Sequence, residues 1–330
     1  MYPIEKLLKT AVSAAVALSA FSCGVAGPEV EGVPGNGEKV PVTVSVPPSG
    51  TRLLDTAGES TVNSIQVFVF SADGRMEIYA SGEGTSVSFD CTSGQKEFLA
   101  VANAPSLEGL LTREEVTSAV SSLMDNTPSG LVMSGSVSKS VSMVDQSVEI
   151  PVARLVARIS VKEITNGLST PGYSSSPVEL VSIYLSDVAG TCPYFGVQEP
   201  SSWINRLGEA ENLSSLLHSG ILDTSIAHGE TCRTPHYFYC YPNPVSGDSS
   251  SGTWCPRFTR IVIAAEIKGE TFYYPVAIGN IEANHTYDIE HLQINRLGAD
   301  SPVAPLEVGS VSVSVKVKDW ETGAVTDVTI

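Results

Sequence analysis

Positive charge is scarce in this chain. Lys and Arg number 19 against 36 Asp and Glu in 330 residues, a formal net charge of −17. No stretch clusters its cations into a patch, which disfavours nucleic acid and anionic lipid surfaces as partners. Charged residues of both signs make up only 17% and aromatics only 7%, whereas hydrophobic residues reach 42%. Ser, Thr, Val and Gly fill much of the rest. That balance excludes disorder and coiled coil and fits β-sandwiches. The length suffices for two domains, each with its own core.

Catalytic motifs are lacking as well. The five histidines, His218, His228, His236, His285 and His291, form neither an HExxH motif nor an i, i+4 pair. Residues 247–252 (GDSSSG) lack the glycine spacing of a nucleophile elbow and read as a loop. No phosphate-cradling glycine loop lies between a strand and a helix. Cys232, His236 and Cys240, with Cys255, have a spacing that a metal could use, but in an exported chain cysteines more often pair with one another. No enzyme, cofactor or metal is expected.

Long hydrophobic runs are confined to the first residues. Residues 1–22 begin with Lys6 and Lys9 and continue as an apolar run at 10–21, too short for a stable membrane span, so they read as a signal peptide. The run ends in Ala20-Phe21-Ser22-Cys23, which looks like a lipoprotein signal cut before Cys23, with Phe21 departing from the usual small residue. Acyl chains on Cys23 would tether the chain at about 0.8 kcal/mol per CH₂. Residues 24–38, rich in Gly, Pro, Val and Glu, read as a flexible tether. Export makes Cys192, Cys232, Cys240 and Cys255 disulfide candidates, with the pairing open, and leaves Cys91 as a buried unpaired thiol.

What the chain does have is valine in alternation, at both ends. Val40, Val42, Val44 and Val46 recur with period two before the turn Pro47-Pro48-Ser49-Gly50 and the lone Arg52. Pro41 cannot donate a ladder hydrogen bond, which predicts an edge strand. Val311, Val313, Val315 and Val317 repeat the pattern ahead of Trp320. Two strands at opposite ends are therefore suited to one kind of groove: either both are ordinary strands of one β domain, which periodicity alone favours, or the second, from another copy and with residues 324–330 able to participate, replaces the first.

Between them, strands are predicted at residues 64–71, 85–90, 97–103, 131–135, 137–143 and 148–152. Residues 112–115 (TREE) have the capping-box form, and Val116, Val120, Leu123 and Met124 follow at helical spacing. Residues 153–162 alternate apolar positions with Arg154, Arg158, Ser160 and Lys162, predicting a two-faced strand with a domain boundary near Ala157. Further strands are expected at 178–186, 236–241, 260–267, 271–278 and 286–294, with a helical insertion at 202–217. Tyr237, Tyr239 and Tyr241 share one face of a strand, where they would either pack in a sheet or stack on a sugar. Residues 299–306 read as a linker.

With these residues placed, the chain resembles the fimbrillin family, the type V pilins of Bacteroidales. The resemblance rests on residues 91–103 (CTSGQKEFLAVAN), 131–135 (LVMSG), 148–161 (VEIPVARLVARISV), 284–289 (NHTYDI) and the closing Val-rich strand with Trp320. It implies an all-β fold of two transthyretin-like antiparallel β-sandwiches in tandem with short helical insertions. The division would be a signal at 1–22, a propeptide with the removable strand at 23–52, sandwiches at 53–157 and 158–300, and a donor segment at 301–330. It also implies an outer-membrane lipoprotein precursor, cleavage by an arginine-specific protease between Arg52 and Leu53, and a cell-surface fimbria serving adhesion and biofilm formation. The partners would be further copies or related subunits, the protease, and a host or bacterial surface ligand. Alternatives are a tip or anchor subunit of the same family and an uncut lipoprotein binding glycans at the tyrosine face.

Overall fold

The computed structural model describes residues 37–47, 58–248, 257–320 and 325–328. The N-terminal part of the chain holds β1 (Lys39–Ser45), β2 (Ser64–Ser71), β3 (Met76–Glu83), β4 (Ser86–Thr92) and β5 (Gly94–Ala102). Next come α1 (Arg113–Ser118), β6 (Val120–Ser122), β7 (Met133–Val141), β8 (Ser147–Glu149) and β9 (Ala153–Arg154). A five-stranded sheet, β3-β2-β5-β7-β9, packs over a three-stranded sheet, β4-β1-β8. Their shared core includes Val40, Val42, Val44, Ile65, Val67, Phe98, Met133 and Val148. The chain of β2 is apolar on both faces because both are covered. Ile65, Val67 and Val69 enter the sandwich, while Phe68 and Phe70 pack with Val116 of α1.

Helix α1 begins at the expected capping box, with Glu115 N–H donating to Thr112 Oγ1 and Thr112 N–H to the Glu115 carboxylate. It ends at Ser118, earlier than the spacing of Val120, Leu123 and Met124 predicts. Those residues instead form β6 and a 3₁₀ turn at Leu123–Asp125, because β6 finds a strand partner later in the chain, at Thr191–Pro193.

The C-terminal part of the chain contains β10 (Ala157–Val161), β11 (Ile164–Asn166), β12 (Val178–Ser186), β13 (Val188–Ala189), β14 (Thr191–Pro193) and β15 (Trp203–Ile204). It continues with β16 (Thr224–Ile226), β17 (Thr231–Cys232), β18 (His236–Cys240), β19 (Thr259–Ile267), β20 (Glu270–Ile278), β21 (His285–Ile294), β22 (Val311–Asp319) and β23 (Val325–Val328). One sheet is β16-β12-β19-β20. In the other, β10 and β11 follow one another along β21, β18 and β17 pair with their far side, and β22 pairs with β21 and with β23. The fold is all-β with little helix, as expected.

No α-helix forms at 202–217. Trp203 and Ile204 pair with β13, and Asn205, Leu207 and Gly208 all take positive φ, which breaks any helical run. The step from β9, paired with β7, to β10 carries the chain from one pair of sheets to the other. One core spans that step, joining Val101, Leu123, Leu131 and Val132 to Val156, Ala157, Tyr241 and Trp320. Strand β6 also pairs with β14 across it. Gly135 is required nearby: a Cβ there would lie 2.0 Å from the Pro151 carbonyl oxygen.

Candidate strand-exchange site

Strand β1 is not at an edge. It runs antiparallel to β4 from Lys39↔Thr92 to Ser45↔Ser86, and parallel to β8 from Thr43↔Ser147 to Ser45↔Glu149. Thr43 N–H donates to the Gln146 carbonyl at 2.8 Å, so its nitrogen faces the β8 side. By period two the Pro41 nitrogen faces that side too, beyond the first residue of β8, where no ladder bond is missing. A central strand therefore tolerates this proline. Val40, Val42, Val44 and Val46 are each at most 1% exposed, and the alternate residues Lys39, Pro41 and Thr43 face solvent.

Strand β22 carries the same alternation in a looser setting. Only Val315 is buried, while Val311, Val313 and Val317 are half-buried against the second core. Its ladder with β21 runs from Ile294↔Val311 to His285↔Asp319. Lys318 Nζ donates to Asp288 Oδ2 at 2.8 Å, and Ser160 Oγ donates to Asp288 Oδ1 at 2.6 Å. Burial pushes the Asp288 carboxyl up, but hydrogen bonds from Lys318 and Ser160 and the nearby ammonium charges outweigh it, leaving its pKa below the ordinary 3.8. The bond to Asp288 likewise raises Lys318 above 10.5.

The two pairs of sheets meet at a buried junction. Glu59 is fully buried there and accepts Arg158 Nη1 at 2.8 Å and Tyr239 Oη at 2.5 Å. Its carbonyl accepts Arg154 Nε at 3.1 Å. Both guanidinium groups stack on Trp320, at 4.3 Å for Arg154 and 5.1 Å for Arg158. Trp320 is itself fully buried, directly after β22, and its N–H donates to the Asn284 carbonyl. Residues 153–162 are thus not two-faced: Arg154, Arg158 and Ser160 are as buried as their apolar neighbours. Sequence reasoning missed Glu59, which lies in a polar stretch without periodicity. A carboxylate there, set against two arginines spaced i, i+4 on a strand, was the only signal.

Of the expected site residues, Cys23, Arg52, Leu53 and Cys255 lie outside the described residues. Arg75, in the β2–β3 turn, has a side chain 61% exposed, and Arg113 forms a bidentate pair with Glu97 on the surface. Exposure alone therefore does not single out Arg52. Among the described residues, Cys91, Cys192, Cys232 and Cys240 are all free thiols. Cys232 and Cys240 oppose Ile164 and Ala157 on the same extended neighbour, roughly 25 Å apart at strand spacing, which no disulfide spans. Burial pushes the thiols of Cys192 and Cys240 up to about 12, and that of Cys91, buried as expected, to about 11. The tyrosine face is not a sugar platform. Tyr241 is buried with its hydroxyl on Ser121 and Asn126, and Tyr239 is committed to Glu59.

Residues 42–172, from within β1 to beyond β11, match the family described as major fimbrial subunit protein (FimA). Over most of its length the chain shares the fold of solved structures. A fimbrilin (FimA) of Porphyromonas gingivalis aligns with 16% identity and a TM-score of 0.58, over 86% of this chain and 97% of its own. A candidate cell adhesion protein of Bacteroides eggerthii aligns with 17% identity and a TM-score of 0.61, over 91% and 99%. The tip fimbrial protein Mfa3 of Porphyromonas gingivalis, truncated at its C-terminus, aligns with 15% identity and a TM-score of 0.51, over 86% and 99%. No curated protein sequence matches the chain.

Proposed function

We propose that this protein is a structural subunit of a cell-surface fimbria. It is exported as a lipoprotein through Cys23, cut after Arg52, and polymerised when β22 of one copy replaces β1 of another. The observation that carries this reading is one valine pattern in two settings. The groove between β4 and β8 buries all four of its valines, whereas β22 at home buries one of four.

The physics follows from that difference. Loss of β1 would bare a core face and the backbone groups of β4 and β8, an unstable edge. A strand with alternate valines satisfies both needs, at about 1.5–3 kcal/mol for each side chain fully buried before ordering costs. Donor and groove belong to different domains, so the contact is heterologous and propagates. A cut at Arg75 would achieve nothing comparable, since β2 and β3 stay paired on both sides of it. The presence of both a removable strand and a donor favours a repeating shaft subunit over a tip or anchor.

The test is to treat the precursor, lacking its signal, with an arginine-specific protease, sequence the new N-terminus and look for filaments by electron microscopy. A start at Leu53, with polymers that fail when residues after Pro305 are deleted, is the expected result. A stable monomer, or cleavage only at other arginines, overturns the reading.

A further inference from the structure

We infer that the pocket formed by residues 203–213 binds a neutral pyranose unit of a surface glycan, with the Trp203 indole as stacking platform and Arg206, Glu209, Glu211 and Asn212 as the hydrogen-bonding rim. It is an open depression of about 630 Å³ whose lining includes these residues and Leu213. Trp203 is half-buried at the start of β15, Glu209 and Glu211 are exposed, and Leu213 is 69% exposed. On one side the Asn212 amide nitrogen lies 3.3 Å from the Met124 sulfur. A thioether is a weak acceptor and an amide nitrogen carries two protons, so Asn212 keeps a donor for a ligand oxygen.

The lining selects the ligand chemistry. Two carboxylates supply acceptors, a guanidinium supplies donors, and an amide supplies both, all around one indole. An anion would face Glu209 and Glu211 and a cation would face Arg206, so a ligand with strong charge of either sign meets its like. A wholly apolar ligand would take these groups out of water and return no hydrogen bond. A neutral pyranose meets both demands. Its hydroxyls donate and accept around the ring edge, while its C–H face lies flat on an indole, the arrangement of one aromatic surface and a few placed polar groups that small-molecule sites use.

The backbone of this segment is strained and held in place from beneath. Asn205, Leu207 and Gly208 have φ of 52°, 58° and 74°, and a leucine in the left-handed region is an outlier. Buried Asn205 donates from Nδ2 to the Leu185 carbonyl at 2.8 Å and accepts the Asn212 N–H on Oδ1 at 2.9 Å. Buried Asp187 accepts the Leu207 N–H at 3.1 Å, and Tyr184 Oη donates to the Gly208 carbonyl at 2.8 Å. Behind Gly208 stands Pro302, 2.8 Å from where a Cβ would lie. A segment that only joined β15 to β16 would need neither the buried amide and carboxylate nor the strained leucine. Held this way, the rim loses little freedom on binding, which a solvated ligand such as a sugar requires. None of the lining residues belongs to β1, β4, β8, β21 or β22, so the site does not depend on strand exchange. In a filament it would recur once per subunit, and a repeating glycan held weakly at each copy would be held firmly by many.

Saturation-transfer NMR on the full chain without its signal tests the site. Lactose and N-acetyllactosamine serve as probes of the epithelial type, and isomaltotriose and mannobiose as probes of the microbial type. At least one should bind at millimolar concentration, with its ring C–H protons most strongly saturated. Glu211→Ala, on the exposed rim, and Trp203→Phe should each weaken binding several-fold at an unchanged melting temperature, and Trp203→Ala should abolish it. Leu111→Ala, outside the pocket, should leave it unchanged. Binding of the first pair alone assigns an epithelial source, of the second pair alone a microbial one, and of both the shared pyranose chemistry. No binding by any of the four, binding only of sialyllactose or of a tetralysine peptide, or binding that Glu211→Ala and Trp203→Phe both leave intact overturns the inference. Filaments from Glu211→Ala subunits at the unmodified rate keep the fimbrial reading whatever the sugars do. Absence of filaments from the unmodified protein overturns that reading and leaves the sugar site standing.

Discussion

Strands β1 and β22 have nearly interchangeable sequences and opposite circumstances. Four valines alternate with small or polar residues in each, yet β1 lies in the middle of a sheet with one face sealed, and β22 sits near an edge with three of four valines half-exposed. A pattern of period two sets which residues share a face. It does not set how completely that face is covered, because coverage comes from the opposing sheet. The less buried copy of the pattern is the one with more to gain from moving.

The comparison breaks most sharply with a buried charge. Val44→Asp should cost the protein about 4 kcal/mol or more, or prevent the β1-containing sheets from folding, in urea unfolding followed by tryptophan and far-ultraviolet signals. Val313→Asp should cost the monomer about 1 kcal/mol or less, since its site is half in water, yet abolish filaments. Equal costs in the monomer would show that the two strands are equally committed at home.

The junction decides how firmly β22 is held. Glu59→Ala leaves Arg158 buried without its carboxylate and should destabilise the protein by about 3–5 kcal/mol, and Trp320→Ala should cost a similar amount. Non-additivity in the double variant, measured by the same unfolding curves, would show that the two act through the shared arginines. Simple additivity would separate the anchor of the segment after Arg52 from the anchor of β22.

Acid should loosen β22 while leaving β1 in place. Asp288 has its pKa lowered in the folded state, so its stabilising effect is present above 3.8 and is lost as pH falls through the lower folded value. Lys318, raised above 10.5, contributes below that value and loses its contribution in strong alkali. Amide exchange at β22 should therefore accelerate relative to β1 below about pH 3.8, and Asp288→Asn should remove the difference. The smallest effect expected is for Pro41→Thr, within about 0.5 kcal/mol because no β8 residue waits for its N–H. Thr43→Pro, which deletes a real bond to Gln146, should cost about 3 kcal/mol.

Much of the N-terminal part was legible in the sequence for a physical reason. The apolar stretch of β2, the capping box at Thr112 and the alternation in β1 are local patterns, and local geometry answers them. The helix expected at 202–217 failed because its apolar spacing was incidental. Trp203 and Ile204 are held by β13, and three positive φ values follow in quick succession. The tyrosines at 237–241 were placed on one face correctly, but whether that face met water or Glu59 depended on a residue far away in the chain.

The sequence by itself determined the all-β class, the periodic strands and the recurrence of one valine pattern near both ends, since side-chain period and turn chemistry are properties of neighbouring residues. Only the tertiary structure decided that β1 is central despite its proline, that Arg154 and Arg158 turn inward, and that Glu59 and Trp320 meet at one buried cluster. Those outcomes depend on which distant backbone supplies the missing hydrogen bond and which distant charge makes burial tolerable.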